Sequence, residues 1–185
     1  MDLRSHLLLL LCMAASEIPD ARARPADFVC DDSARRDMNK AKELEAAMNA
    51  CGGSSVLPVP VQLPCAKIHK ASWEIQTLLE KRAEICAALE MLRGAVVAVR
   101  GHFLSSCQSI LLEQLDSSVT NHLLIVRHLA LPGTGVQGDT ERLDSTCRSR
   151  DTRDLRDVLQ LYSSLLRGKL EWLIGDLADS CHGDS

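Results

Sequence analysis

Apolar residues recur every three to four positions along four stretches of the chain, the period of a helix with one buried face. From about 31 to 49, Ala34, Met38, Ala41, Leu44 and Met48 make a thin stripe, and Asp31 and Asp32 stand where a helix N-terminus favours negative charge. A second helix is predicted over 72–100 through Leu78, Ile85, Leu89, Leu92, Val96 and Val99. A third spans 106–131 through Leu112, Leu115, Val119, Leu123, Val126 and Leu129. The fourth, LRDVLQLYSSLLRGKLEWLIGDL over 155–177, is the most amphipathic, with Leu155, Leu159, Tyr162, Leu166, Leu170, Leu173 and Leu177 on one face. No strand-like alternation of useful length competes. Spacings near 3.5 residues suit nearly aligned helix packing.

The connections set the topology. A Gly- and Pro-rich segment, CGGSSVLPVPVQLPCAKIHKA, separates the first two helices; it is too proline-broken for helix yet long enough to run the length of a bundle. Only a few residues around Gly101 join the second helix to the third, so these two must be antiparallel neighbours. A second long segment, PGTGVQGDTERLDSTCRSRD, precedes the fourth. Long, short, long is the pattern of an all-α, up-up-down-down four-helix bundle with two long crossover loops.

The N-terminus changes the compartment. LLLLLCMAA over 7–15 is too short to span a bilayer, which takes roughly 20 residues. With Ala21 and Ala23 forming an A-x-A site, residues 1–23 read as a signal peptide and 24–185 as one secreted, extracellular domain. Removing Cys12 leaves Cys30, Cys51, Cys65, Cys86, Cys107, Cys147 and Cys181, which an oxidising compartment should mostly bridge. The number is odd, so one stays free or bonds another chain. In the bundle, Cys30 and Cys181 share one pole while Cys51 and Cys107 share the other, so both pairs are geometrically allowed, given the need for Cα atoms within about 7 Å. Closing Cys30 to Cys181 would contribute about 5 kcal/mol on the loop-entropy account. Cys65 and Cys147 lie one in each crossover and are expected to form a third bridge. Cys86, between Ile85 and Leu89, reads as a buried free thiol.

The chain has 185 residues, 46% of them apolar and 3% aromatic, enough for one well-filled core. A net charge of −4 with both signs interspersed points away from nucleic acid and anionic membrane, and no further apolar run is long enough for membrane insertion. No G-x-S-x-G, phosphate loop or H-E-x-x-H occurs, so no catalytic role is expected. Cys65 with His69, and Cys181 with His182, lack the rest of a four-ligand set, and Glu80, Glu84 and Glu113 lack the E-x-x-H pairs of a di-iron bundle. Neither a metal nor a cofactor is expected. Gly168 is the anomaly: inside a helix it costs about 1 kcal/mol against alanine. Leu165 and Trp172 lie off the core stripe beside it, flanked by Arg167 and Lys169. That composition suits either a protein-binding hot spot or a place where a crossover approaches the helix closely.

LLRGKLEWL over 165–173 resembles the fourth-helix signature of the erythropoietin/thrombopoietin family of class I helical cytokines. Tyr162-Ser163-Ser164 leans toward the erythropoietin branch. LPVPVQLP over 57–64, Trp73 and the Cys51-to-Cys107 spacing side with the thrombopoietin branch. The resemblance implies a secreted hormone that bridges two chains of a class I cytokine receptor, starting Janus-kinase signalling that drives megakaryocyte or thrombocyte production. It implies a high-affinity receptor-binding face containing Asp31, Pro64, Arg167, Gly168 and Lys169. A weaker face would use the first and third helices around Arg35, Arg36, Asn39 and Thr120. Glu171 stands where the family carries a basic residue, which with the extra cysteines implies a non-mammalian member. An erythropoietin-like hormone is the nearest alternative. A secreted helical carrier of an apolar ligand is a more distant one and would need an under-filled core. A non-reducing peptide map of the secreted protein should join Cys51 to Cys107; any other partner for Cys51 would count against the resemblance.

Overall fold

Residues 25–52, 54–132, 149–178 and 181 are described in the computed structural model of the chain. The N-terminal segment through residue 23 and Cys147 lie outside the described residues. In chain order the elements are α1 (Pro25–Cys30), α2 (Asp32–Met38), α3 (Ala41–Ala50), β1 (Val56–Leu63), α4 (Lys70–Ile75), α5 (Leu78–Arg100), α6 (Ser106–Arg127), β2 (Arg150–Asp154), α7 (Leu155–Leu165), a π turn (Leu166–Leu170) and α8 (Glu171–Leu177).

α3 packs on α6 and α7, while α5 packs on α6, α7 and α8, so every rod touches its two antiparallel neighbours. Cys30–Cys181 ties the start of the first rod to the end of the last, with Cα atoms 5.6 Å apart. Cys51–Cys107 ties the end of the first to the start of the third at 6.0 Å. The two bridges sit at opposite poles, so the first and second rods run one way and the third and fourth the other. The topology is up-up-down-down.

Local capping chemistry sets the helix limits and corrects several expected ones. The first helix is broken at Asn39–Lys40. The Asn39 side chain accepts the Ala41 N–H at 3.2 Å and starts a new helix in place of continuing the old one. The second long helix begins at Leu78, where Thr77 and Glu80 form a reciprocal capping box, and Gln76 before it is extended. The Thr77-x-x-Glu80 pattern was there in the sequence to mark this start, ahead of the apolar period. Ser105 and Gln108 cap α6 in the same way, and Gln108 Nε2 also donates to the Ser54 and Val56 carbonyls of the first crossover. Upstream of the expected start, α1 adds a helical turn whose Phe28 is buried.

The largest correction concerns strands. Val56–Leu63 alternates, with Leu57, Val61 and Leu63 buried, and pairs antiparallel with Arg150–Asp154 of the second crossover. Pro58 and Pro60 read as breakers of any regular structure. They are tolerated because β1 has a single partner strand and the ladder is irregular between Val56 and Val61, where the missing N–H groups fall. Leu155 N–H donates to the Ser55 carbonyl at 2.9 Å, so this ribbon leads directly into α7.

All the stripe residues expected on the fourth helix are buried, from Leu155 to Leu177. Cys86 is free and half-buried on α5; burial pushes its thiol up to about 11, which leaves it protonated at neutral pH. Near the Cys30–Cys181 pole, the His122 ring lies edge-on between Phe28 and Tyr162. His122 Nδ1 is 2.9 Å from both the Ser118 carbonyl and the Tyr162 hydroxyl. As N–H it donates to the carbonyl; bare, it accepts from the hydroxyl. Burial lowers the His122 pKa below its ordinary 6.5 and raises that of Tyr162.

Because the unfolded chain binds a proton at His122 more readily than the folded one, stability is full above 6.5 and declines as pH falls through it. Thermal unfolding between pH 7.5 and 5 should show that slope in the wild type and lose most of it in His122→Gln.

Candidate functional site

A single π turn interrupts the fourth rod at Leu166–Leu170, the segment expected to bind a receptor. One extra residue in the turn advances the helix face, and Lys169 and Leu170 are both buried, as are Leu166 and, just before the turn, Leu165. The expectation that Leu165 lies off the core is therefore corrected: it is 1% exposed. Trp172 does remain partly exposed, at 39%, with its ring edge-on to the buried Trp73 of α4 at 6.5 Å.

Gly168 lies under the first crossover. A Cβ built on it would stand 3.6 Å from Ile68 Cδ1 and 3.8 Å from the Ala66 carbonyl, ordinary contact distances. Of the two roles the sequence left open, a crossover does pass over the helix here, but at a distance that an alanine would also accommodate, so its approach does not itself require glycine. The flat spot is continuous with what lies over it.

The expected site residues divide accordingly. Pro64, Gly168 and Lys169 come together where crossover and π turn meet. Arg167 is exposed beside them, whereas Pro64 is buried. Lys169 is a buried cation: it pairs with Glu84 of α5 and its Nζ donates to the Cys65 carbonyl at 3.0 Å. It is not an open contact for a partner protein, and its position in LRGKL could not reveal this, because the π turn is what carries it inward. Asp31 sits apart at the disulfide pole, exposed, capping α2 by accepting the Ser33 and Ala34 N–H groups at 2.7 and 3.2 Å. Cys65 is disulfide-bonded, and its expected partner Cys147 lies outside the described residues.

Sequence reasoning missed Lys81 and did not foresee the contacts of Arg35 and Glu84. Arg35, expected on the face shared with the third helix, turns to the fourth rod instead. Its guanidinium donates to the Phe28 and Val29 carbonyls, pairs with Asp32 and lies 3.6 Å from Glu171. Lys81 pairs with Asp176 at 2.8 Å and stands 5.4 Å from the Trp73 ring centroid. Glu84, weighed in the sequence only as a di-iron ligand, pairs with Lys169 and also accepts from Gln76 Nε2 at 2.9 Å. Among the described residues, no cluster of three or more His, Cys, Asp or Glu side chains could hold a metal, and no helix is long and apolar enough to cross a membrane.

Two antiparallel helix pairs joined by long crossovers, with interactive residues on the outer surface, define a four-helix cytokine-type bundle. A family profile for erythropoietin/thrombopoietin matches residues 27–183, most of the chain. The chain belongs to the erythropoietin/thrombopoietin family, whose members are cytokines rather than enzymes. It is 29% identical to thrombopoietin of Mus musculus over 178 residues, covering 94% of this chain and 46% of that protein. It is 28% identical to thrombopoietin of Rattus norvegicus, with 94% and 50% covered, and 27% identical to thrombopoietin of Canis lupus familiaris, with 94% and 47% covered. The chain spans about half the length of these curated relatives.

Removing the buried cation leaves Glu84 unpaired, so Lys169→Ala should cost about 3 kcal/mol of unfolding free energy. Arg167→Ala, at an exposed position, should change it by less than about 0.5 kcal/mol. Urea titrations of the two variants check the contrast.

Proposed function

We propose that the chain is a secreted, thrombopoietin-like haematopoietic cytokine. Residues 1–23 direct its export. It binds a class I cytokine receptor and brings two receptor chains together, so that their associated Janus kinases start the signal for megakaryocyte or thrombocyte production. The observation that carries this reading is the match to thrombopoietins across 94% of the chain, on a bundle whose first crossover lies against the fourth rod. That juxtaposition supports a composite surface of exposed Arg167, flat Gly168 and half-exposed Trp172. Aromatic and guanidinium groups of this kind dominate protein–protein binding energy. Asp31, near the disulfide pole, and Pro64, buried in the crossover just before the segment over Gly168, are the further residues of this reading. A second, weaker receptor face falls to exposed parts of the first and third rods. Of Tyr162-Ser163-Ser164, the residues that lean toward the erythropoietin branch, Tyr162 and Ser163 are buried and bear on core packing, while Ser164 is exposed.

Cells bearing a thrombopoietin-type receptor should signal on exposure to the protein, and cells bearing only an erythropoietin-type receptor should not. Arg167→Ala should weaken binding to the receptor's extracellular region about tenfold while helicity and thermal stability are unchanged. Unaltered affinity in that variant would remove Arg167 from the contact.

A further inference from the structure

A buried ion pair is a poor stabiliser compared with a hydrophobic pair of similar volume, so its presence at one point of the core asks for another role. Lys169 and Glu84 have side chains 4% and 16% exposed, and together they touch four separate segments. Lys169 rises from the π turn and its Nζ donates to the Cys65 carbonyl of the first crossover. Glu84 rises from α5 and accepts from Gln76, in the extended break between α4 and α5. Immediately beyond Cys65, Ala66 and Ile68 lie over Gly168. The crossover here belongs to no helix or strand, so the Lys169 bond to its backbone adds to the Cys65 disulfide a restraint toward the π turn in particular. The Cys65 disulfide anchors the start of this segment covalently, and beyond it the segment meets the π turn through Ile68 and Ala66 over Gly168.

We propose that Lys169 and Glu84 are positioning residues for receptor recognition. Their ion pair holds Cys65–Ile68 against the π turn, so that crossover and fourth rod meet the receptor as one rigid surface bearing Arg167 and Trp172. A surface ordered in advance loses less freedom on binding and binds more tightly for the same contacts. The inference rests on the receptor-binding reading above.

The test compares the full secreted chain with the double variant Glu84→Gln/Lys169→Met, which leaves no unpaired buried charge, and with Glu84→Gln alone should the double variant not fold. Amide hydrogen exchange is followed at Ala66, Lys67 and Ile68, and affinity is measured for the extracellular region of a thrombopoietin-type receptor. The expected result is unchanged helicity by circular dichroism, exchange at those amides faster by about tenfold or more, and affinity weaker by about tenfold. Unchanged exchange overturns the proposal. So does faster exchange with wild-type affinity, which would make the pair merely structural. Failure of the wild type itself to bind overturns the receptor reading instead, and is told apart because it appears before any substitution is made.

Discussion

The antiparallel seating of the first rod against the last is the constraint on which the rest of the molecule depends. It fills the core between α3 and α7, and the Cys30–Cys181 bridge closes it across a sequence separation of 151 residues. Such a closure removes much of the unfolded chain's freedom, while the Cys51–Cys107 bridge does the same at the other pole over 56 residues. With both ends of the first rod fastened, the two crossovers have no choice but to run along the outside of the bundle. There they pair with each other as a short antiparallel ribbon.

That placement turns loops into surface architecture. β1 lies on α5, its buried Leu57, Val61 and Leu63 extending the core outward, and the segment following it crosses the fourth rod at Gly168. Polar groups then register one layer on the other. Gln108 reaches from a helix cap to the Ser54 and Val56 carbonyls, and Lys169 reaches from the π turn to the Cys65 carbonyl. Each contact satisfies backbone carbonyls of the first crossover, which is how an irregular segment can lie partly buried without a large penalty.

Charge is distributed in the same spirit. Arg35 is shared among two backbone carbonyls, Asp32 and Glu171, and so couples the two rods that carry the candidate face. Lys81 joins the second rod to the last turn of the fourth through Asp176. In both pairs the cation is largely buried and the carboxylate partly exposed, so each pair fixes a long side chain between elements. Arg167, by contrast, projects from the π turn as an exposed cation.

The four rods, their connection lengths and the poles at which the cysteines meet were legible in the residues. Apolar periodicity and chain length are local quantities, and they leave only one economical way to close a bundle. The strand pairing was not legible, because VLPVPVQL acquires its ladder from a segment nearly ninety residues away and hides its prolines in an irregularity of that ladder. The breaks at Asn39 and Gln76 were half legible: the capping residues were present, but an uninterrupted apolar stripe outweighed them. Within the candidate site, sequence located the stretch around Gly168 but misjudged which side chains were open. A π turn shifts every following residue around the helix, and whether one forms depends on what packs above it. Lys169 is therefore interior by virtue of the crossover and the neighbouring rod, neither of which local sequence contains. Periodicity determined which faces must be buried; only long-range packing decided where that period would be broken, and hence which charges face outward.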